Sequence, residues 1–153
     1  GVIGTQSTIS SNSYTNAFKK RNSALNIYEK ACPLFVPLIE EGWENNQISI
    51  DITMEYLKGF RSHKIDTLVL GCTHYPIMKK TIQSVIGQDI HLISSGDAVA
   101  NTIHQNLQKH HLKANSNNTP TDFFYVSDFP QKFNELGSQF LGHSLINLRH
   151  IQL

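Results

Sequence analysis

A thiol, a hydroxyl and an imidazole stand side by side at Cys72-Thr73-His74, three groups that can take, give or orient a proton near neutral pH. They follow Ile65-Asp66-Thr67-Leu68-Val69-Leu70-Gly71, a nearly continuous apolar run of the kind that forms a strand buried on both faces of a parallel sheet. Pro76 comes next and suits the first turn of a helix. The triplet is therefore expected in the loop at the carboxyl end of a central strand. There the positive end and free N–H groups of the following helix favour a thiolate over a thiol. On its residues alone Cys72 is either a nucleophile or base or an inert buried thiol, and His74 either orients a ligand or is a satisfied polar residue.

A second cluster, Thr5, Ser7, Thr8 and Ser10, follows the apolar pair Val2-Ile3. Its hydroxyls and N–H groups can hold an anion such as a carboxylate, or they can simply cap a helix. Cys32 lies in Ala31-Cys32-Pro33-Leu34-Phe35-Val36-Pro37-Leu38, with no charge between it and Glu40, and reads as structural core. Glu40 and Glu41 are either solvated or, by geometry that the sequence does not give, partners of His74. The eight histidines form no HxxxH pattern and no His/Cys cluster at metal-ligand spacing, so no metal is expected.

The elements that must position these residues alternate in type. Val2-Ile3 predicts a strand, Tyr14 to Arg21 a helix, Ala24 to Tyr28 a strand, and Pro33 to Glu41 a short helix ended by Gly42. Ser49 or Asp51 is expected to cap a helix over Ile52 to Phe60, with Ile52, Tyr56 and Phe60 on one face. After the strand to Leu70, a helix from Pro76 carries Ile77, Thr81 and Val85 to Gly87. Ile90 to Ile93 read as a strand, Ser94 to Asp97 as a turn and cap, and Ala98 to His110 as a helix. A linker over 111–121 includes Asn115-Ser116-Asn117-Asn118. Strands at Phe123 to Val126 and Leu145 to Leu148 then flank a helix from Pro130 to Phe140. This is an α/β pattern built on a parallel sheet, in which ligands bind beyond the carboxyl ends of the strands. Thr5 and Cys72 both fall at such ends.

Composition narrows the function classes. The chain of 153 residues is 39% hydrophobic and 16% charged, enough to fold one core, or one core plus an extension. Thirteen Lys+Arg against 12 Asp+Glu leave a net charge of +1 with no basic block, so no nucleic-acid partner is expected. The apolar runs fall far short of the roughly 20 residues that cross a bilayer, so no membrane partner is expected either. Two cysteines are too few for a disulfide scaffold and point to a reducing compartment. Gly1-Val2-Ile3-Gly4 lacks the features of a signal peptide and reads as the end of a strand whose beginning has been cut away.

Three segments taken together carry a resemblance. Gly4-Thr5-Gln6-Ser7-Thr8-Ile9 with Ser11 and Tyr14, Ala31-Cys32-Pro33-Leu34-Phe35-Val36-Pro37-Leu38-Ile39-Glu40-Glu41-Gly42, and Asp66-Thr67-Leu68-Val69-Leu70-Gly71-Cys72-Thr73-His74-Tyr75-Pro76 resemble the glutamate racemases of the cofactor-independent aspartate/glutamate racemase family. The resemblance implies a three-layer α/β fold with a parallel sheet and flanking helices, here one lobe plus a C-terminal segment of the other. Residues 1–95 would form the second lobe and carry Cys72, 96–121 a helix and linker, and 122–153 a βαβ segment completing a missing N-terminal lobe.

It also implies an activity: interconversion of L- and D-glutamate without a cofactor, for peptidoglycan and cell-wall synthesis in the bacterial cytoplasm. One cysteine thiolate removes the α-proton and a second thiol, on the opposite face, returns one. Cys72 matches the second of these catalytic residues, with His74 beside it. Thr73, His74, Thr5 and Thr8 match substrate-side positions, and Glu40 matches a glutamate that supports the histidine. The family's first catalytic cysteine has no counterpart, because Cys32 matches a noncatalytic position. The chain alone is thus expected to hold half an active site and to be inactive. The open apolar strands of the βαβ segment are expected to favour a homo-oligomer. Two other readings of the same residues are a noncatalytic α/β module binding a small acid or a protein partner, and a thiol redox protein using Cys72 and Cys32.

Overall fold

A computed structural model describes residues 1–114 and 120–152, so the linker reading of Asn115-Ser116-Asn117-Asn118 lies outside the described residues. The chain divides into two compact units, Gly1–Leu112 and Lys113–Leu153. The first unit is built on four parallel strands: β1 (Val2–Gly4), β2 (Glu29–Ala31), β3 (Thr67–Leu70) and β4 (His91–Ser94), in the spatial order β2-β1-β3-β4. Its helices are α1 (Gln6–Ser10), α2 (Ser13–Arg21), α3 (Phe35–Glu40), α4 (Gln47–Ser62), α5 (Lys79–Ile86) and α6 (Ser95–Lys109), with a 3-10 turn at Tyr75–Met78 ahead of α5. The parallel sheet with flanking helices is the class that the sequence pattern predicts.

The run before Cys72 takes an interior place in the sheet. On β3, Leu68, Val69 and Leu70 are all buried, and the strand pairs with β1 on one side (Val2↔Val69, Ile3↔Leu70) and β4 on the other (Leu68↔Leu92). Ile3, Leu68 and Leu70 join Leu57 and Phe60 of α4 and Met78, Ile82, Val85 and Ile86 of the 3-10 turn and α5 in one core. Each such side chain contributes about 1.5–3 kcal/mol when fully buried.

Several boundaries differ from the sequence reading, each for a local reason. The second strand is Glu29–Ala31 rather than Ala24 to Tyr28, because register with β1 (Val2↔Glu29, Gly4↔Ala31) overrides the weak alternation upstream. Helix α4 begins four residues ahead of Asp51. Its cap is Asn46, whose side-chain oxygen accepts from the Ser49 N–H at 2.9 Å, and its buried face is Ser49, Thr53, Leu57 and Phe60. Helix α6 starts at Ser95, directly after β4.

The second unit is a βαβ unit: β5 (Phe124–Val126) and β6 (Leu148–His150) run parallel around α7 (Pro130–Leu141). Leu145 lies outside the strand predicted for it. It is buried instead against Gly137 of α7, where a Cβ would come within 2.7 Å of its side chain.

Candidate active site

The parallel register brings the sequence-predicted residues to one edge of the sheet. β1 ends at Gly4 and is followed by Thr5, β3 ends one residue before Gly71-Cys72, and the two strands are neighbours. Gly71 makes this approach possible. Its N–H donates to the Ile3 carbonyl at 2.7 Å, and a Cβ there would sit 2.8 Å from that same oxygen and 3.0 Å from the Tyr14 ring. Cys72 therefore leaves the sheet tightly held by backbone.

Cys72 is partly exposed and carries a free thiol. Its Sγ lies 4.0 Å from His74 Nδ1, and the same ring nitrogen is 3.5 Å from Thr73 Oγ1. The other ring nitrogen, Nε2, is 3.5 Å from Glu40 Oε1. The structure thus decides what the sequence left open for Glu40: it faces His74, while Glu41 is exposed. Thiol, imidazole and carboxylate form a line running from the end of β3 to the last turn of α3. A carboxylate on one imidazole nitrogen favours a proton on that nitrogen and fixes the tautomer presented on the other side.

Thr5 and Thr8 form a second cluster, after β1. Thr5 caps α1, its Oγ1 accepting from the Thr8 N–H at 3.3 Å, and the two hydroxyl oxygens lie 3.0 Å apart. Ser7 and Ser10 are exposed on α1, the short helix that the Ser/Thr run forms ahead of the one predicted from Tyr14. The helix predicted from Pro76 opens instead as the 3-10 turn Tyr75–Met78, and α5 begins only at Lys79.

Cys32 is fully buried, in line with its core reading. Its Sγ contacts the Lys30 carbonyl at 3.7 Å, and burial pushes the thiol up to about 12, Lys30 opposing the shift only in part. Both cysteines are free.

Tyr75 carries no sequence signal of its own beyond its place between His74 and Pro76. The residue is fully buried, its ring meets Phe35 edge-on with centroids 5.2 Å apart, and its hydroxyl donates to the Cys32 carbonyl at 2.9 Å. Burial raises the phenol well above its ordinary range, so it remains a donor. Of the face read from sequence, Thr81 and Val85 are buried and Ile77 is half-buried against the core, and Tyr75, Met78, Ile82 and Ile86 widen it.

Comparison with known proteins defines first the class. Over 99% of its length the chain matches the glutamate racemase of Francisella tularensis, solved in complex with D-glutamate, with a TM-score of 0.90 and 36% identity, covering 57% of that protein. A glutamate racemase isoform of Bacillus anthracis matches over the whole chain with a TM-score of 0.89 and 31% identity, again covering 57% of it. The fold is that of the glutamate racemases. In sequence the chain is a relative of the same proteins: it is 50% identical over 145 residues to the glutamate racemase of Chlorobaculum parvum and 44% identical over 154 residues to that of Syntrophus aciditrophicus. It covers 53% and 57% of those two, so it spans just over half the length of the curated relatives it matches. No family model matches the chain.

Proposed function

We propose that this chain is part of a glutamate racemase in which Cys72 is one of two acid/base thiols exchanging the α-proton of glutamate. The observation that carries the reading is the half-exposed Cys72 thiol at the end of a buried strand, 4.0 Å from an imidazole whose other nitrogen faces Glu40. Racemisation without a cofactor needs a base on one face of the α-carbon and an acid on the other. In one direction a partner thiolate takes the α-proton, and the electron pair left on carbon delocalises into the carboxylate. The Cys72 thiol then delivers its proton to the opposite face and becomes the thiolate. In the reverse direction Cys72 is the base.

In this scheme His74, oriented by Glu40, orients the Cys72 proton and contacts the substrate. The hydroxyls of Thr73, Thr5 and Thr8 bind its charged groups. The second thiol must come from polypeptide beyond this chain, because Cys32 is buried and held as a thiol. One positioned acid/base group supplies a factor of about 10²–10⁴, while enzymes typically reach about 10⁶ or more, so the separate chain is expected to be inactive. The D-glutamate produced would serve peptidoglycan synthesis in the bacterial cytoplasm.

Residues 122–153 would complete the lobe that carries the second thiol. Phe123, Tyr125, Phe129 and Ile146 of this segment are exposed, which supports a missing partner and, in the separate chain, self-association. A clean monomer by light scattering at high concentration would remove the self-association proposal.

The test is exchange of the glutamate α-proton in D₂O followed by NMR, with this chain alone and with a separately made N-terminal half of a racemase. Exchange that requires the added half and vanishes in Cys72→Ser supports the reading. Absence of exchange in a mixture shown to be folded and associated overturns it, in favour of a noncatalytic module.

A further inference from the structure

We propose that Tyr75 is a positioning residue: its buried hydroxyl, bonded to the Cys32 carbonyl, holds α3 against the Cys72–His74 loop and thereby sets the His74–Glu40 pair. His74 and Glu40 come from segments far apart in sequence, and their approach of 3.5 Å is made between partly exposed side chains. A pair of that kind contributes little to holding two segments together. Something buried must bring them into register.

The Cys32 carbonyl is the point where the two segments meet. It accepts the Phe35 N–H at 3.2 Å, which closes the turn leading into α3, and it accepts the Tyr75 hydroxyl at 2.9 Å. Tyr75 in turn directly follows His74, and its N–H donates to the Cys72 carbonyl at 3.3 Å. The chain of contacts therefore runs from the Cys72 backbone through Tyr75 to the Cys32 carbonyl, and from there along α3 to Glu40. Phe35, at the first position of α3, packs edge-on against Tyr75 and also against Tyr56 of α4. The Tyr56 hydroxyl accepts from the Leu34 N–H at 3.3 Å. Two tyrosines thus grip the start of α3 from two sides, but only Tyr75 is covalently continuous with His74.

That asymmetry supplies the control. Tyr75→Phe and Tyr56→Phe each remove one hydroxyl next to Phe35 and keep the ring. The readout is the change in the His74 ring ¹⁵N resonances caused by Glu40→Gln, measured in the full 153-residue chain in three backgrounds. The clamp predicts that this change falls to less than half in Tyr75→Phe and keeps its size in Tyr56→Phe. An undiminished change in Tyr75→Phe, or an equal loss in both, overturns it, because the first denies coupling and the second makes the tyrosine merely structural. The unmodified chain gives a check that needs no variant. A Tyr75 hydroxyl proton protected from solvent, with a cross-peak to the Phe35 amide, is expected, and a rapidly exchanging one without it overturns the clamp. Its consequence for catalysis rests on the racemase reading, but none of these measurements involves glutamate. A chain that fails to exchange the α-proton leaves the clamp standing, and a broken clamp leaves the role of Cys72 standing.

Discussion

The two cysteines occupy equivalent places in the sheet and opposite places in chemistry. Cys32 follows β2 and Cys72 follows Gly71 at the end of β3, and these strands flank β1 on either side in parallel. Yet Cys32 is fully buried, with its thiol pushed up to about 12, whereas Cys72 is partly exposed beside an imidazole. The difference lies in what comes after each strand. Behind Cys32 the chain turns into the apolar helix α3, which buries Phe35, Leu38 and Ile39 and leaves the thiol on the core side. Behind Cys72 come two polar residues before the buried Tyr75, so the loop keeps its thiol toward solvent. The polarity of the residues that follow each strand end separates the half-exposed thiol from the buried one.

The largest expected effect comes from treating the two thiols alike. With iodoacetamide at pH 8, Cys72 is expected to be alkylated at least 100-fold faster than Cys32, since the thiolate is the reacting form and Cys32 is both buried and protonated. Mass mapping of the labelled peptides checks this. Comparable rates would break the comparison, because they would mean that the Cys32 pocket opens readily.

The next effect concerns stability at high pH. The Cys32 thiol is raised from 9.0 to about 12 in the folded chain, so the unfolded state loses this proton first. The stabilisation is complete below pH 9 and is lost as pH rises toward 12. The full difference is on the order of 4 kcal/mol. Urea midpoints of wild type and Cys32→Ala at pH 8 and pH 11 should therefore converge or cross as pH rises, because only the wild type carries this proton. Alkaline titrations of groups that are not coupled to Cys32 are common to both proteins and cancel. Parallel pH dependences would show that burial of Cys32 is less complete than the structure has it.

How much of this was legible in the sequence follows from the same contrast. The β3 run and the glycine after it identified the strand and its loop, because burial on both faces leaves a continuous apolar signature. The apolar surroundings of Cys32 identified it as core for the same reason. The Glu40–His74 approach was not legible, since a carboxylate at a helix end looks the same in sequence whether it faces solvent or a neighbouring loop. Nor was Tyr75, whose hydroxyl finds its partner in a backbone carbonyl 43 positions away in sequence. A backbone acceptor leaves no residue type to recognise. The strand Glu29–Ala31 was missed because edge pairing with β1, and not hydrophobic alternation, defines it.

The smallest effect tests the residue before each cysteine. Ala31 precedes Cys32 on an edge strand and carries a Cβ, whereas Gly71 precedes Cys72 and has no room for one. The restriction at Gly71 is one of space: the obstacle is the Ile3 carbonyl at 2.8 Å, a backbone atom of the neighbouring strand that cannot rotate away. Gly71→Ala must push β3 from β1 at the point where Gly71 N–H bonds that carbonyl, or turn the Cys72 loop outward. Overpacking of this kind costs about 1–3 kcal/mol. Ala31→Gly removes a side chain from a strand and costs about 0.5–1 kcal/mol through backbone freedom alone. Denaturant unfolding gives both numbers, and iodoacetamide separates their causes. Gly71→Ala should change the Cys72 alkylation rate, because the thiol is moved with its loop, while Ala31→Gly should leave it as it was. If both substitutions cost the same and neither touches Cys72, the close approach at Gly71 is not what holds the thiol in place.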